Sequence, residues 1–216
     1  MTNEKAKVAI IGMGNIGSVL ATNLVKNNRK VIVANRTPEK ANHLAEKLGK
    51  LAQAEDMASA IKNSDVVILA IWFGEIGGFL NKYKAELKGK IIVDPSNPIA
   101  PDGKGGFKKV IGENESAGKI NAGILPQGSK LVKALGTLGA ASLENAANQE
   151  PRKVLFYSND DTTLNELIEE LIEDCGFEPK RIGGIDQSIR IEVFGELHEF
   201  GALGKTVTLN DIQGKL

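Results

Sequence analysis

The sequence predicts an α/β protein: a doubly wound, mainly parallel sheet with helices on both faces and a short helical C-terminal extension over about 184–216. Three observations carry this expectation. Short apolar runs alternate with stretches of helical spacing along the chain. The first run, Val8-Ala9-Ile10-Ile11, enters the turn Gly12-Met13-Gly14-Asn15-Ile16-Gly17 and leaves it in a helix with Ile16, Val19, Leu20 and Leu24 on one face. Residues 66–71 are apolar throughout, as a parallel strand covered on both faces must be.

The glycine turn has the spacing of a dinucleotide-binding Rossmann fingerprint, and each glycine has its own reason. Gly12 turns the chain off the strand, Gly14 lets backbone approach a pyrophosphate, and Gly17 lets the helix pack close to the strand. The free N–H groups and positive dipole end of that helix then face phosphate. A glycine turn of this kind is a weak signal alone. Here a strand precedes it, a helix follows, and a second strand at 30–34 completes a βαβ unit.

The end of that second strand addresses the choice of cofactor. A site for NAD places Asp or Glu there, on the ribose hydroxyls. Between Ser18 and Pro38 the chain has no acidic residue, and the strand runs into Asn35-Arg36-Thr37-Pro38-Glu39-Lys40. A guanidinium binds a 2′-phosphate bidentately, and Lys40 adds charge one helical turn on. Arg36 and Lys40 also read as an ordinary solvated helix start, but their place at the strand end favours NADP(H).

Composition bounds the other possibilities. Among 216 residues, 27 basic and 27 acidic side chains balance to zero and are mixed along the chain. Neither nucleic acid nor a membrane is expected as a partner. One cysteine, Cys175, excludes an internal disulfide framework or a zinc cluster and reads as a small core residue. No metal site is expected. No signal peptide and no apolar run long enough to span a bilayer is read, so a cytoplasmic location is expected.

The remaining elements follow in order. A helix over 38–48 starts at Pro38 and stops at Gly49, with a short strand near 50–52 and a helix near 55–62. After the strand at 65–71, Trp72 and Phe73 lie at its carboxyl end, where they either wall a ligand or cover the sheet. A helix over 75–87 leads to a strand at 90–93 and the rigid turn Asp94-Pro95-Ser96-Asn97-Pro98. Residues 101–109, glycine-rich and basic, read as a mobile surface loop and a candidate lid. A strand at 130–135, a helix over 140–148 and a strand at 152–157 precede an amphipathic helix with Leu164, Leu167, Ile168, Leu171 and Ile172 aligned. Gly176 ends it, a last strand covers 177–182, and a helix is expected over 186–200. The apolar residues of that last helix spread broadly around it, as packing beneath an acceptor site or against a second copy would require. No repeat or long linker divides the chain, so 1–216 reads as a single domain.

The order of motifs resembles the coenzyme F-420-dependent NADP oxidoreductase family over nearly the whole chain. The resemblance rests on the Gly12-to-Gly17 turn, on Asn35-Arg36-Thr37 with Lys40, on the Asp94-to-Pro98 turn, and on Leu125-Pro126 followed by residues 130–137. It implies that Gly12, Met13, Gly14, Asn15, Ile16 and Gly17 hold NADP(H), with Asn35, Arg36, Thr37 and Lys40 at its 2′-phosphate. It implies that Ala70, Ile71, Trp72, Asn97 and Pro98 border the nicotinamide, and that Trp72, Gly136 and Thr137 lie beside a deazaflavin or flavin acceptor. Better-known members carry a bulky polar residue where this chain has Gly136.

Three functions remain open on the sequence. The first is hydride transfer between NADP(H) and a deazaflavin or flavin-like acceptor. It needs alignment of two carbons and no catalytic dyad, and it suits His43 and His198, which have no evident partners. The second is dehydrogenation of a small carbonyl or hydroxy acid, for which Asp94, Ser96, Arg190 and Glu192 are the candidate proton donors. The third is a non-catalytic NADP(H) sensor. A small-molecule acceptor and a homodimer formed through the C-terminal region are the expected partners.

Overall fold

A computed structural model of the protein describes residues 5–214. In the first half the strands are β1 (Val8–Ile11), β2 (Val31–Ala34), β3 (Ala52–Ala54), β4 (Val66–Leu69) and β5 (Ile91–Asp94). The helices between them are α1 (Asn15–Lys26), α2 (Pro38–Leu48), α3 (Met57–Lys62) and α4 (Phe73–Lys82). The second half adds β6 (Ile99–Pro101), β7 (Phe107–Lys109), α5 (Ala117–Ala122), β8 (Lys130–Lys133), α6 (Ala140–Asn145), β9 (Val154–Asn159), α7 (Asn165–Asp174), β10 (Glu178–Arg181) and α8 (Leu209–Ile212).

Eight strands form one sheet in the order β10-β9-β8-β5-β4-β1-β2-β3. From β3 to β8 all neighbours are parallel; β9 runs antiparallel to β8, and β10 is parallel to β9. The order reverses beside β1, so the carboxyl ends of β1, β4 and β5 open onto one crevice, where α/β sheets bind ligands.

Alternation along the strands sorts side chains to two faces. Val8, Ile10, Val33, Val66, Ile68 and Val93 meet Leu20 and Leu24 of α1 and Ile168, Leu171 and Ile172 of α7. Ala9, Ile11, Val67, Leu69 and Ile92 meet Ala60 and Ile61 of α3 and Ile76 and Leu80 of α4. Cys175 is fully buried among the first set, as expected of a core residue. No described helix is long and apolar enough to cross a membrane.

Several local expectations are corrected. The strand expected at 50–52 is displaced to β3, because Gly49–Leu51 winds into a 3-10 turn first. The stretch at 101–109 is a hairpin: β6 pairs with β7, and the Asp102 carboxylate accepts from the N–H groups of Lys104 and Gly106 while Gly103 and Gly105 take positive φ. Helix α4 stops at Lys82, short of 87, and α5 was not expected at all.

The helix expected over 186–200 does not form. A 3-10 segment, Ile185–Ile191, gives way to extended backbone at Glu192 and then to turns. The cause is tertiary. The Glu192 carboxylate is drawn onto the backbone N–H groups of Ala117 and Gly118, each at 2.9 Å, at the start of α5. The rest of the tail buries Ile191, Leu197, Val207 and Ile212 against Val154 and Phe156 of β9.

That anchor belongs to a buried charge network. The Lys133 ammonium, 3% exposed, lies 3.1 Å from Asp94 Oδ2 and 4.0 Å from Glu192 Oε1, and donates to the carbonyl of Ser96. Asp94 also accepts from the Ser96 N–H at 2.7 Å and from Asn121 Nδ2 at 2.8 Å. Burial pushes the Glu192 carboxyl above its ordinary range, opposed by Lys133 and the two amides. Removing one partner from such a cluster leaves uncompensated buried charge. Lys133→Met is therefore expected to destabilise the fold by about 3–5 kcal/mol, read as a shift of the urea unfolding midpoint.

Candidate functional site

A single open cavity of about 1580 Å³ follows the crevice from the end of β2 to the C-terminal tail. Sites for one drug-sized ligand run to roughly 300–1,000 Å³. The volume therefore has room for two ligands side by side.

One end is made of backbone. Gly12 N donates to Ala34 O at 2.9 Å, and Gly12 sits at φ +98°, where an added Cβ would lie 2.4 Å from Ala70 O. A Cβ on Gly17 would lie 1.8 Å from Gly12 O, so only glycine lets α1 start this close to the strand. A Cβ on Gly14 would meet nothing within 4 Å, because Gly14 faces the cavity. Gly14 also caps α1 without any side-chain acceptor on the first N–H groups. Free donors, a positive dipole end and open space together suit a pyrophosphate.

Gly12, Met13, Gly14, Asn15 and Ile16 line this end, as do Asn35, Arg36, Thr37 and Lys40. Asn35 is tied down: its Oδ1 accepts from Met13 N at 2.9 Å and its Nδ2 donates to Thr37 O at 3.0 Å. It clasps the glycine turn to the turn after β2. Arg36 stands 87% exposed, with Nη1 3.4 Å from Glu75 of α4 across the crevice. Together with Lys40 it leaves cationic groups open to an anion at this end. Ala54, Glu55, Asp56 and Met57, which the sequence reading did not single out, complete the wall.

The other end is built by chain segments far apart in sequence. Ala70, Ile71 and Trp72 follow β4, and Pro95, Ser96 and Asn97 follow β5. Gly136 follows β8, and Val193, Phe194, His198, Glu199 and Phe200 come from the tail. Trp72 is 55% exposed and faces Phe107 of the hairpin at a ring separation of 6.5 Å, so it walls the cavity instead of covering the sheet. Gly17, Pro98 and Thr137, expected as contacts, lie behind this lining; Thr137 is buried and its hydroxyl finds no protein partner among the described residues.

Gly136 shows why a bulky residue is missing there. A Cβ would lie 2.2 Å from Pro95 O, so the strand-end turns touch through backbone. The Gly136 carbonyl accepts from Asn97 Nδ2 at 3.0 Å and pairs with His198 Nε2 at 3.1 Å. Asn97 Oδ1 accepts from Val193 N at 2.7 Å, and Glu199 binds the N–H of Gly139. These bonds fasten the tail over the turn after β8.

His198 is therefore not a residue without partners on a helix; it is buried and doubly bonded. Its Nδ1 accepts from Phe200 N at 3.0 Å, so Nε2 carries the proton and donates to Gly136. Burial first, and Lys133 second, pull its pKa down to about 4, against the Gly136 carbonyl, which favours the protonated ring. The other histidine, His43, is exposed on α2. Of the candidate proton donors, Asp94 and Glu192 are consumed by Lys133 and backbone amides, and Arg190 pairs with Glu196 at 2.5 Å. The Ser96 hydroxyl oxygen is buried without a protein partner among the described residues.

Nothing in the sequence near position 198 marks it. Its role arises from a contact 62 residues away. Phe194, Phe200 and Phe107 likewise join one lining only in the folded chain.

Comparison with known proteins fits this geometry. The family model described as NADP oxidoreductase coenzyme F420-dependent matches residues 7–98. The chain is 29% identical over 202 residues to the F420-dependent NADP reductase of Methanocaldococcus jannaschii, covering 88% of this chain and 90% of that protein. It is 28% identical over 189 residues to the metalloreductase STEAP3 of Rattus norvegicus, but spans only 36% of that protein's length. A hypothetical protein from Sinorhizobium meliloti has the same fold, with a TM-score of 0.82, 29% identity, and coverage of 94% of this chain and 95% of that one.

The lowered pKa of His198 has a measurable consequence. Between its unfolded value near 6.5 and its folded value of about 4, the unfolded chain binds a proton that the folded chain does not. Its contribution to stability is thus complete above pH 6.5 and lost as pH falls towards 4. His198→Gln is expected to flatten the stability profile by about one proton's slope across that window, measured by urea unfolding at a series of pH values.

Proposed function

We propose that the chain, as a member of the coenzyme F420-dependent NADP oxidoreductase family and hence an NADP-dependent oxidoreductase, passes hydride between NADP(H) and a planar ring acceptor of the deazaflavin or flavin kind. The single observation that carries this reading is the cavity's division. One end offers backbone donors and cations, and the other offers exposed aromatic rings, with Asn97 and His198 already bonded to protein.

Gly12 through Ile16 would hold the pyrophosphate, with Gly17 letting α1 start close behind them, and Arg36 with Lys40 would hold the 2′-phosphate. Ala70, Ile71, Trp72 and Asn97 would border the nicotinamide, which when bound supplies or accepts the hydride. The protein's own work is alignment and exclusion of water. Direct transfer needs the reacting carbons roughly 3–3.5 Å apart, and rigid walls at Pro95, Gly136 and Trp72 would serve that. Asn97 supports the wall by bridging Gly136 and Val193.

Reduction of a small carbonyl or imine would draw a proton from the site. Of the four candidate donors, Asp94, Glu192 and Arg190 are already paired with protein groups, which leaves the buried Ser96 hydroxyl alone without a partner among the described residues, and His198 holds its one proton on Gly136. A ring acceptor that exchanges its proton with water makes no such demand, so it is the better reading.

Two measurements test the proposal. Arg36→Ala is expected to weaken NADPH binding by about 2 kcal/mol, roughly thirtyfold, while leaving NADH unchanged, as the loss of a charge-assisted pair requires. Equal weakening of both cofactors rules out the 2′-phosphate assignment. Stopped-flow mixing of NADPH-loaded protein with a deazaflavin, FMN or FAD is expected to oxidise NADPH with one of them. Tight NADPH binding without oxidation by any ring rejects the reaction class.

A further inference from the structure

Phe194 has a backbone conformation that its burial does not explain. Among the described residues, four non-glycine positions take positive φ: Asn28, Leu135, Asn148 and Phe194. Asparagine tolerates this region, and Leu135 is fully buried in the core, where packing compensates the strain. Phe194, at φ 72°, is 52% exposed. A bulky residue in this region is a true outlier, and such strain persists only where surrounding structure over-determines it.

The surroundings do so. Val193 N is fixed on Asn97 Oδ1 at 2.7 Å, and Gly195 N on Glu192 O at 2.7 Å. A Cβ on Gly195 would lie 2.3 Å from Ile189 O, and one on Gly201 would lie 1.7 Å from Gly195 O. The chain on both sides of Phe194 is wound as tightly as glycine permits. The ring it holds lies in the lining of the cavity's acceptor end, with Phe200 on the same segment. Trp72 and Phe107 stand in the same lining as a second aromatic pair.

We infer that Phe194 is the acceptor-contacting residue that selects planar aromatic acceptors, and that its strained backbone serves to present the ring at the cavity mouth. The inference rests on the hydride-to-ring reading given above. A flat apolar ring offers its face to another ring and has little to offer a small polar carbonyl compound. Strain kept at an exposed aromatic, where no core packing compensates it as it does at Leu135, is what a ligand contact accounts for.

The test compares Phe194→Gly, Phe194→Ala and Phe194→Tyr with the parent in the full chain loaded with NADP+. Binding of FMN and of a 5-deazaflavin is read by fluorescence quenching, and melting by circular dichroism. Tyr is expected to keep ring affinity within about twofold, and Ala and Gly to lose it about tenfold, while NADPH affinity is unchanged in all three. Glycine adopts positive φ at no steric cost, so the Gly variant is expected to melt about 3 °C above the Ala variant. A merely structural Phe194 would lower melting alike in both and leave ring affinity in place. Ring affinity retained in Ala and Gly, or an Ala variant as stable as the Gly variant, overturns the inference while the ring-acceptor reading stands. A parent protein that binds neither ring overturns both.

Discussion

The ammonium of Lys133, buried between Asp94 and Glu192, is the constraint on which the tail-lined end of the cavity depends. A charge removed from water needs partners, and these partners come from the end of β5 and from the tail, while α5 supplies the amides that hold Glu192. Any arrangement that leaves the tail undocked leaves carboxylate or ammonium without its counterpart. The network therefore fixes where the tail enters. The bonds from Val193, His198 and Glu199 then fix where it runs across the turn after β8.

The two ends of the cavity are made by different physics. The end bearing the glycine turn is local: a strand, a tight turn and a helix start within a dozen positions, with Gly12 and Gly17 chosen by backbone contacts that no Cβ would survive. The tail-lined end is assembled over long range. Pro95 touches Gly136 through backbone, Asn97 reaches Val193, and His198 reaches back to Gly136. The first kind of site persists wherever the βαβ unit folds; the second exists only once the sheet is complete.

The tail-lined end also separates bonded polar groups from open apolar surface. Asn97, His198 and Glu199 are bonded to backbone partners, and a neutral His198 with one fixed tautomer keeps its proton. Aromatic carbon from Trp72, Phe107, Phe194 and Phe200 makes up much of what is exposed there. An end built this way favours alignment of flat partners over proton delivery.

By itself the sequence determined the βαβ order, both faces of the sheet, the glycine turn and the cationic strand end at Arg36 and Lys40. Those features follow from periodicities of two and 3.6 and from the conformational range of glycine, all of which act between near neighbours. It misjudged the tail, where helical spacing over 186–200 lost to the pull of α5 on Glu192. It also misjudged 101–109, where glycines and Asp102 close a hairpin instead of a loose loop. Only the tertiary structure decided that His198 is bonded and neutral, that Gly136 must be glycine, and that four distant aromatics share one cavity. Each depends on contacts between residues tens of positions apart, and local pattern carries no record of such contacts.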